Sequence, residues 1–356
     1  MIPSPEVIES LSVSNAVSLN ECEMQLAFSR DIKFAVLNRT SVHAHLGLAI
    51  HKVSETFRSD IAADEFDEWF ERVWGQAIDY QFNKFQSEIY PSITRSPKFW
   101  PNYALKKLSL KKALRKRLSS GAVQPYSYIR VPLEGVEIKL PSDSSLLGQI
   151  RIHGRVDEIR NFQGMPQIVD LKSGDSEDAN RKTQLQLALY AYLYFYETNV
   201  FPTCARQSVN GNFEPFKDLT KQEVERKYKA IMLDLDAFNL HVNEGTFRYT
   251  ATLSSCSSCN YRAVCDGFKS SELNTGSLKV VQGTVEAVSN NGEDSCTITV
   301  RSDQVEDPLE FVSNLNPEPW KDALGKKVSF TSLVASGGSN SQFRFTEFSR
   351  GICLQE

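Results

Sequence analysis

Two aspartates and a lysine carry the first chemical signal in this chain. Asp157 closes the run Gly154-Arg155-Val156-Asp157, and thirteen residues later comes Asp170-Leu171-Lys172. On a strand, Asp170 and Lys172 alternate onto one face, and Asp157 on a neighbouring strand can lie beside them. Two carboxylates within a few ångströms of each other repel unless a cation sits between them, and hard oxygen donors suit Mg²⁺ or Mn²⁺. Such a metal acidifies water, while a nearby ammonium orients the nucleophile and offsets developing negative charge. Phosphodiester hydrolysis needs those parts. Alone, Asp-x-Lys is more often an inter-strand ion pair on an exposed strand.

The second signal is Cys256, Cys259 and Cys265, a C-x2-C-x5-C run in a polar, Ser-rich loop. Three soft ligands need a fourth. Tetrahedral zinc and an iron–sulfur cluster both take four thiolates, so the chemistry leaves both open beside the plain reading of unligated thiols. The chain has 7 cysteines, an odd number, and shows no basic segment followed by an apolar stretch at its start. Reduced thiols in a cytoplasmic protein are therefore expected, rather than a disulfide framework. Cys204, Cys296 and Cys353 read as small buried residues.

These groups need elements to hold them. A length of 356 residues suits two domains, and 41% hydrophobic with 24% charged residues is ordinary globular composition. No apolar run reaches the ~20 residues that span a bilayer, so no membrane role is expected. Residues 16–30, 41–58, 64–88 and 103–118 read as helices, the second with Leu46, Ile50, Val53 and Phe57 on one stripe and His51 one position off it. Residues 126–140, 148–161 and 167–172 read as three strands, and 182–197 as an aromatic-rich helix. One or two strands follow over 204–216, and Thr220 with Glu223 opens a helix to about His241. Beyond a polar stretch, 280–289, 296–302, 309–312, 327–335 and 342–350 read as five strands with a helix over 317–324, the arrangement of a small OB-like barrel. The expected domains are 1–275 and 276–356.

The net charge is −4, which alone does not favour a polyanion partner, but from Arg95 to Leu118 nine basic residues occur without a carboxylate, leaving −13 for the rest. That run, with Phe99, Trp100 and Tyr103 close by, suggests a groove tracking phosphates and stacking bases. A solvated helical face is the plainer alternative.

The order of motifs resembles the PD-(D/E)XK nucleases, and within them the RecB/AddB-like and CRISPR-adaptation-type iron–sulfur exonuclease group. Gly47-Leu48-Ala49-Ile50-His51, Gly154-Arg155-Val156-Asp157, Asp170-Leu171-Lys172-Ser173-Gly174 and Gln186-Leu187-Ala188-Leu189-Tyr190 stand in that group's order. The resemblance, over about residues 16–268, implies an α/β restriction-endonuclease-like core with an iron–sulfur clamp, to which the pattern of elements adds a helical N-terminal region and a C-terminal all-β barrel. It implies metal ligation by Asp157, Asp170, His51 and the Leu171 carbonyl, with Mg²⁺ or Mn²⁺ as the ion. Lys172 is then the catalytic lysine, with Gln186 and Tyr190 contacting water or DNA backbone. Glu134 or Glu137 could complete the acidic cluster. Cys22 takes the place of the group's first cysteine, so that Cys22, Cys256, Cys259 and Cys265 would hold a [4Fe-4S] cluster. His43, His45 and His153 keep ordinary structural readings.

The expected function is a metal-dependent deoxyribonuclease, exonuclease ahead of endonuclease, acting on single-stranded DNA or ends in repair, recombination or antiviral defence. No phosphate-binding G-x-x-x-x-G-K-[ST] loop occurs, so a helicase or defence-complex partner would supply any unwinding. Two competing readings are a catalytically silent nuclease fold used for DNA binding or assembly, and a zinc-bearing DNA-binding module. The appended barrel suits single strands or a protein partner equally.

Overall fold

A computed structural model describes residues 2–58, 60–86, 96–119, 151–162, 164–172, 177–208, 212–292, 295–302, 305, 307–313, 318–336, 342–345 and 349–354. The chain is a mixed α/β protein. Strand β1 (Ser10–Ser12) leads into α1 (Val13–Glu21), α2 (Glu23–Arg30), a 3-10 turn (Ile32–Leu37), α3 (Val42–Thr56), α4 (Phe66–Gln86) and α5 (Tyr103–Ser119). The stripe Leu46, Ile50, Val53 and Phe57 is buried. It packs with Phe66, Phe70 and Trp74 of α4 and with Leu110 and Leu114 of α5 into a helical core of its own.

The single helix expected over 16–30 is two helices broken at Cys22, whose backbone is extended (φ −165°). The neighbouring glutamates explain the break. Glu21 pairs with Arg181 at 3.0 Å and Lys182 at 3.4 Å, whereas Glu23 meets His241 at 2.6 Å. Two anchors pulling toward two different helices fix an extended residue between them.

The second layer starts with β2 (Arg151–His153), β3 (Glu158–Phe162), β4 (Met165–Lys172), α6 (Glu177–Thr198), β5 (Thr203–Ser208), β6 (Phe213–Pro215) and α7 (Lys221–Glu244). The sheet runs β3-β4-β5-β6, and β4 lies parallel to β5 with Asp170 opposite Arg206. Parallel neighbours need a crossover, which α6 provides. The strand expected over 148–161 is split, because β2 pairs with β1 while β3 pairs with β4. Gly154–Asp157 thus sits at a junction between sheets. The strand expected over 126–140, with Glu134 and Glu137, lies outside the described residues, as does the turn at Asn210-Gly211. Thr220 caps α7 by accepting from the Glu223 amide. Leu187, Leu189 and Leu193 of α6 are buried with Leu235 and Phe238 of α7, and Tyr192 stacks on Tyr228 with centroids 3.7 Å apart.

After the short helices α8 (Leu253–Cys256) and α9 (Asp266–Lys269) come β7 (Val281–Gly292), β8 (Ser295–Ser302), β9 (Leu309–Ser313), α10 (Glu318–Lys321), β10 (Lys327–Thr331), β11 (Val334–Ala335), β12 (Gln342–Arg344) and β13 (Arg350–Cys353). They form one half-barrel sheet, ordered β11-β12-β9-β8-β7-β10-β13, with β12 parallel to β9. Among the described residues seven strands stand where five were expected. Ser332, with a left-handed φ of +57°, breaks the strand expected over 327–335 into β10 and β11. The one expected over 342–350 becomes β12 and the start of β13. Among the described residues no helix is long and apolar enough to cross a membrane.

Candidate active site

Register and handedness bring the predicted residues together around the end of β4. Lys172 Nζ lies 3.0 Å from Asp170 Oδ2 and donates to Gln186 Oε1 at 3.1 Å. Gln186 donates in turn to the Tyr190 hydroxyl at 3.4 Å, as one helical turn of spacing allows. Asp157, in the bend just before β3, accepts from the Leu171 amide at 2.9 Å and stands 3.6 Å from His51 Nδ1. Because His51 lies off the buried stripe of α3, its ring turns toward this cleft, which His51, Glu55, Arg155, Asp157 and Leu171 line together.

The electrostatics are those of too much negative charge for one lysine. Asp170 is 2% exposed. Burial pushes its carboxyl up to about 6 against the pull of Lys172, and the Asp157 carboxylate adds to the rise. Burial also raises the Tyr190 hydroxyl. Among the described residues no three His, Cys, Asp or Glu side chains are drawn into metal-holding geometry as they stand. The donor set nonetheless suits a divalent cation, since a metal displaces the proton that burial favours on the Asp170 carboxyl.

This strain has a measurable sign. The native Asp170 carboxyl keeps its proton to higher pH than in the unfolded chain, so its contribution to stability is full below about pH 4 and is lost as pH rises through about 6. In metal-free protein, Asp170→Asn therefore stabilises at pH 7 by up to ~3 kcal/mol, at ~1.4 kcal/mol per unit, and the gain disappears near pH 4. Denaturant melts at the two pH values check this; an equal gain at both would contradict it.

The sequence matches the PD-(D/E)XK nuclease superfamily over residues 10–266. The chain belongs to that superfamily. PD-(D/E)XK nucleases typically use Mg²⁺ or Mn²⁺. A solved structure described as "Crystal structure of SSO0001" is similar at 12% identity, covering 63% of this chain and 94% of that chain, with a TM-score of 0.27. No curated protein matches the chain.

Within the PD-(D/E)XK segment, Gly154 has a steric role that spacing alone does not reveal. A Cβ there would stand 2.6 Å from the Tyr190 ring and 2.9 Å from Val13 Cγ2. Gly154→Ala should cost about 1–3 kcal/mol by overpacking and move Tyr190, and with it Gln186. Thermal denaturation beside a cleavage assay reads both effects, and an unchanged melting midpoint would count against the close approach.

The basic helix differs from expectation. Lys107 pairs with Glu71, Lys111 lies 3.0 Å from Asp67 and 3.1 Å from Glu71, and Arg115 pairs with Asp67. Lys107, Lys111 and Arg115 recur every four residues, as do Asp67 and Glu71, so the two helix faces neutralise one another. Trp100 is buried and Tyr103 accepts from Trp74 Nε1 at 2.8 Å, which removes both from the expected stacking trio. Phe99, Lys98, Lys112 and Lys116 remain exposed. Arg95 lies outside the described residues. His45 bonds Gln81 and His153 bonds Ser10, each at 2.9 Å, in keeping with structural roles.

Cys22, Cys256, Cys259 and Cys265 line one cavity with Arg262 and Phe268. Burial pushes the Cys259 thiol up to about 12 and raises Cys256 and Cys265 as well, with the other thiols adding to each rise. Cys22 reaches the cavity from the break between α1 and α2, where the Thr250 amide donates to its Sγ at 3.4 Å. Cys204 and Cys296 are buried away in the two cores.

Proposed function

We propose that this chain is a metal-dependent deoxyribonuclease of the RecB/AddB-like iron–sulfur group, acting on single-stranded DNA or DNA ends, exonuclease ahead of endonuclease. The observation that carries the reading is Lys172 held between Asp170 and Gln186 in the segment that carries Asp157 and His51. Asp157, Asp170, His51 and the Leu171 carbonyl would hold Mg²⁺ or Mn²⁺. When bound, that ion supplies Lewis acidity and an acidified water.

The chain's own groups do the rest. Asp170 aims the Lys172 ammonium, and Lys172 holds the attacking water and offsets negative charge growing on the phosphate. Gln186 fixes the other side of the ammonium, and Tyr190 fixes Gln186. The Leu171 amide orients Asp157 through Oδ2, leaving Oδ1 toward His51. Exposed Lys98, Lys112 and Lys116, with Phe99, are the basic and aromatic side chains left to meet DNA.

Cys22, Cys256, Cys259 and Cys265 would hold a [4Fe-4S] cluster. Support for a thiolate centre comes from Arg262, which lines the same cavity with a buried Nη1 lacking any hydrogen-bond partner. We assign residues 1–275 to the nuclease domain and 276–356 to an OB-like barrel, on the parallel pairing of β12 with β9. A cytoplasmic location, a role in repair or defence, and a helicase or defence-complex partner belong to the same proposal.

Cleavage of end-labelled single- and double-stranded DNA by anaerobically purified protein with Mn²⁺ or Mg²⁺ tests the activity, and the product ladder separates exo from endo action. Iron and sulfide analysis tests the cluster. Intact, loaded protein that cuts neither substrate would refute the nuclease assignment.

A further inference from the structure

The cysteine cavity holds a charge that the nuclease reading does not use. Arg262, between Cys259 and Cys265 in sequence, is 5% exposed. Its Nε donates to the Cys259 carbonyl at 3.3 Å, its Nη2 donates to Ser332 Oγ at 2.6 Å, and its guanidinium carbon lies 5.9 Å from the centre of the Phe268 ring. Its Nη1 is buried without a partner. Among the described residues no carboxylate pairs with it. A buried cation lacking a counter-charge is costly, and leaving one of its donors unmade adds to that cost. The groups sharing its cavity that can turn anionic are the four cysteine thiols, which carry net negative charge once they are held as thiolates around a metal centre.

The same two residues also hold the half-barrel. Ser332, which accepts from Arg262, is the left-handed residue at the bend between β10 and β11, and its carbonyl accepts from Ser349 at 2.7 Å. The next carbonyl, that of Ala263, accepts from Ser329 at 2.8 Å and from Gln282 at 3.4 Å. Around them Phe28, Phe34, Tyr261 and Val264 share one apolar cluster with Ile352 of β13. The guanidinium thus touches the cysteine cavity with one edge and the half-barrel with another.

We propose that Arg262 is the counter-charge of the four-cysteine centre and that, through Ser332, it makes docking of the C-terminal half-barrel depend on that centre being loaded. This rests on the thiolate-centre reading above. Arg262 acts as a positioning residue, touching neither substrate nor the reacting phosphate. Linkage makes the coupling reciprocal: if a loaded centre favours docking, weakening the dock must loosen the metal.

The test uses the full chain, purified anaerobically as wild type, Arg262→Gln, Arg262→Lys and Ser332→Ala. Metal and sulfide content are measured first, then the rate of metal loss to a chelator, and protease cleavage within residues 270–280. Arg262→Gln should lose metal about 10–100-fold faster, as partners of metal ligands do, with faster cleavage of that segment and partial rescue by Arg262→Lys. Ser332→Ala, far from any cysteine in sequence, should still speed metal loss by about fivefold. Metal loss at the wild-type rate in Ser332→Ala overturns the coupling, and this arm decides even if Arg262→Gln fails to fold. Metal loss at the wild-type rate in a folded Arg262→Gln overturns the counter-charge. Wild-type protein free of metal would overturn the thiolate-centre reading itself, and this inference with it, whereas loaded protein with unchanged rates sinks this inference alone.

Discussion

Lys172→Ala should lower phosphodiester cleavage by about 10²–10⁴-fold, the range for removing a group that handles a proton or stabilises developing charge. The size follows from the position of the ammonium. It lies 3.0 Å from Asp170 and 3.1 Å from Gln186, so its place is set from both sides and water cannot fill the same role. The loss has a second source. Without Lys172, the largest pull holding the Asp170 carboxyl down is gone, so in metal-free protein burial and Asp157 raise it further. Raising the pH should therefore restore part of the mutant's activity by ionising Asp170, but not the part owed to the missing ammonium. Single-turnover cleavage of end-labelled single strands across pH, beside far-UV circular dichroism, separates these effects. A folded mutant that cuts within about threefold of wild type would remove Lys172 from the chemistry.

The largest stability effect is expected at the cysteines. Cys22→Ser should cost nearly as much as Cys259→Ser, although the closed loop from Cys22 to Cys256 covers 256 − 22 = 234 residues. A cross-link over such a loop removes unfolded-state freedom worth about 5 kcal/mol on the chain-entropy estimate. At roughly 2–4 °C per kcal/mol for domains of moderate size, the melting midpoint should fall by about 10 °C or more. Both variants should also lose visible charge-transfer absorption if the centre is iron–sulfur. Cys353→Ser, half-buried in β13, should keep the colour and melt close to wild type. A Cys22→Ser protein with wild-type colour and midpoint would detach Cys22 from the centre.

Much of the site was legible without a structure, since short-range geometry governs it. Asp170 and Lys172 share a strand face, and Gln186 and Tyr190 share a helix face, because strand and helix periods fix those relations over two and four residues. The off-stripe place of His51 likewise foretold a ring turned away from the core. The basic helix shows where such reading stops. Lys107, Lys111 and Arg115 looked available because the run contains no carboxylate, yet their partners Glu71 and Asp67 lie 36 to 48 residues earlier. Trp100 and Tyr103 read as stacking residues from their place beside that run; Trp100 is instead a core group of the helical layer and Tyr103 packs against it.

The sequence by itself determined the residue types, the order of the four motifs, the faces those residues occupy within each element, and the cysteine spacing. Tertiary structure decided which faces meet. It broke the first helix at Cys22 by anchoring Glu21 and Glu23 to different helices, split the strand before Asp157 between two sheets, pressed Tyr190 against Gly154, and placed Arg262 between the cysteine cavity and Ser332. Apart from the β3–β4 hairpin, each of these pairs residues far apart along the chain. Local periodicity is set by backbone geometry within a few residues, whereas such meetings are chosen by the summed burial and charge pairing of whole layers, which no single segment encodes.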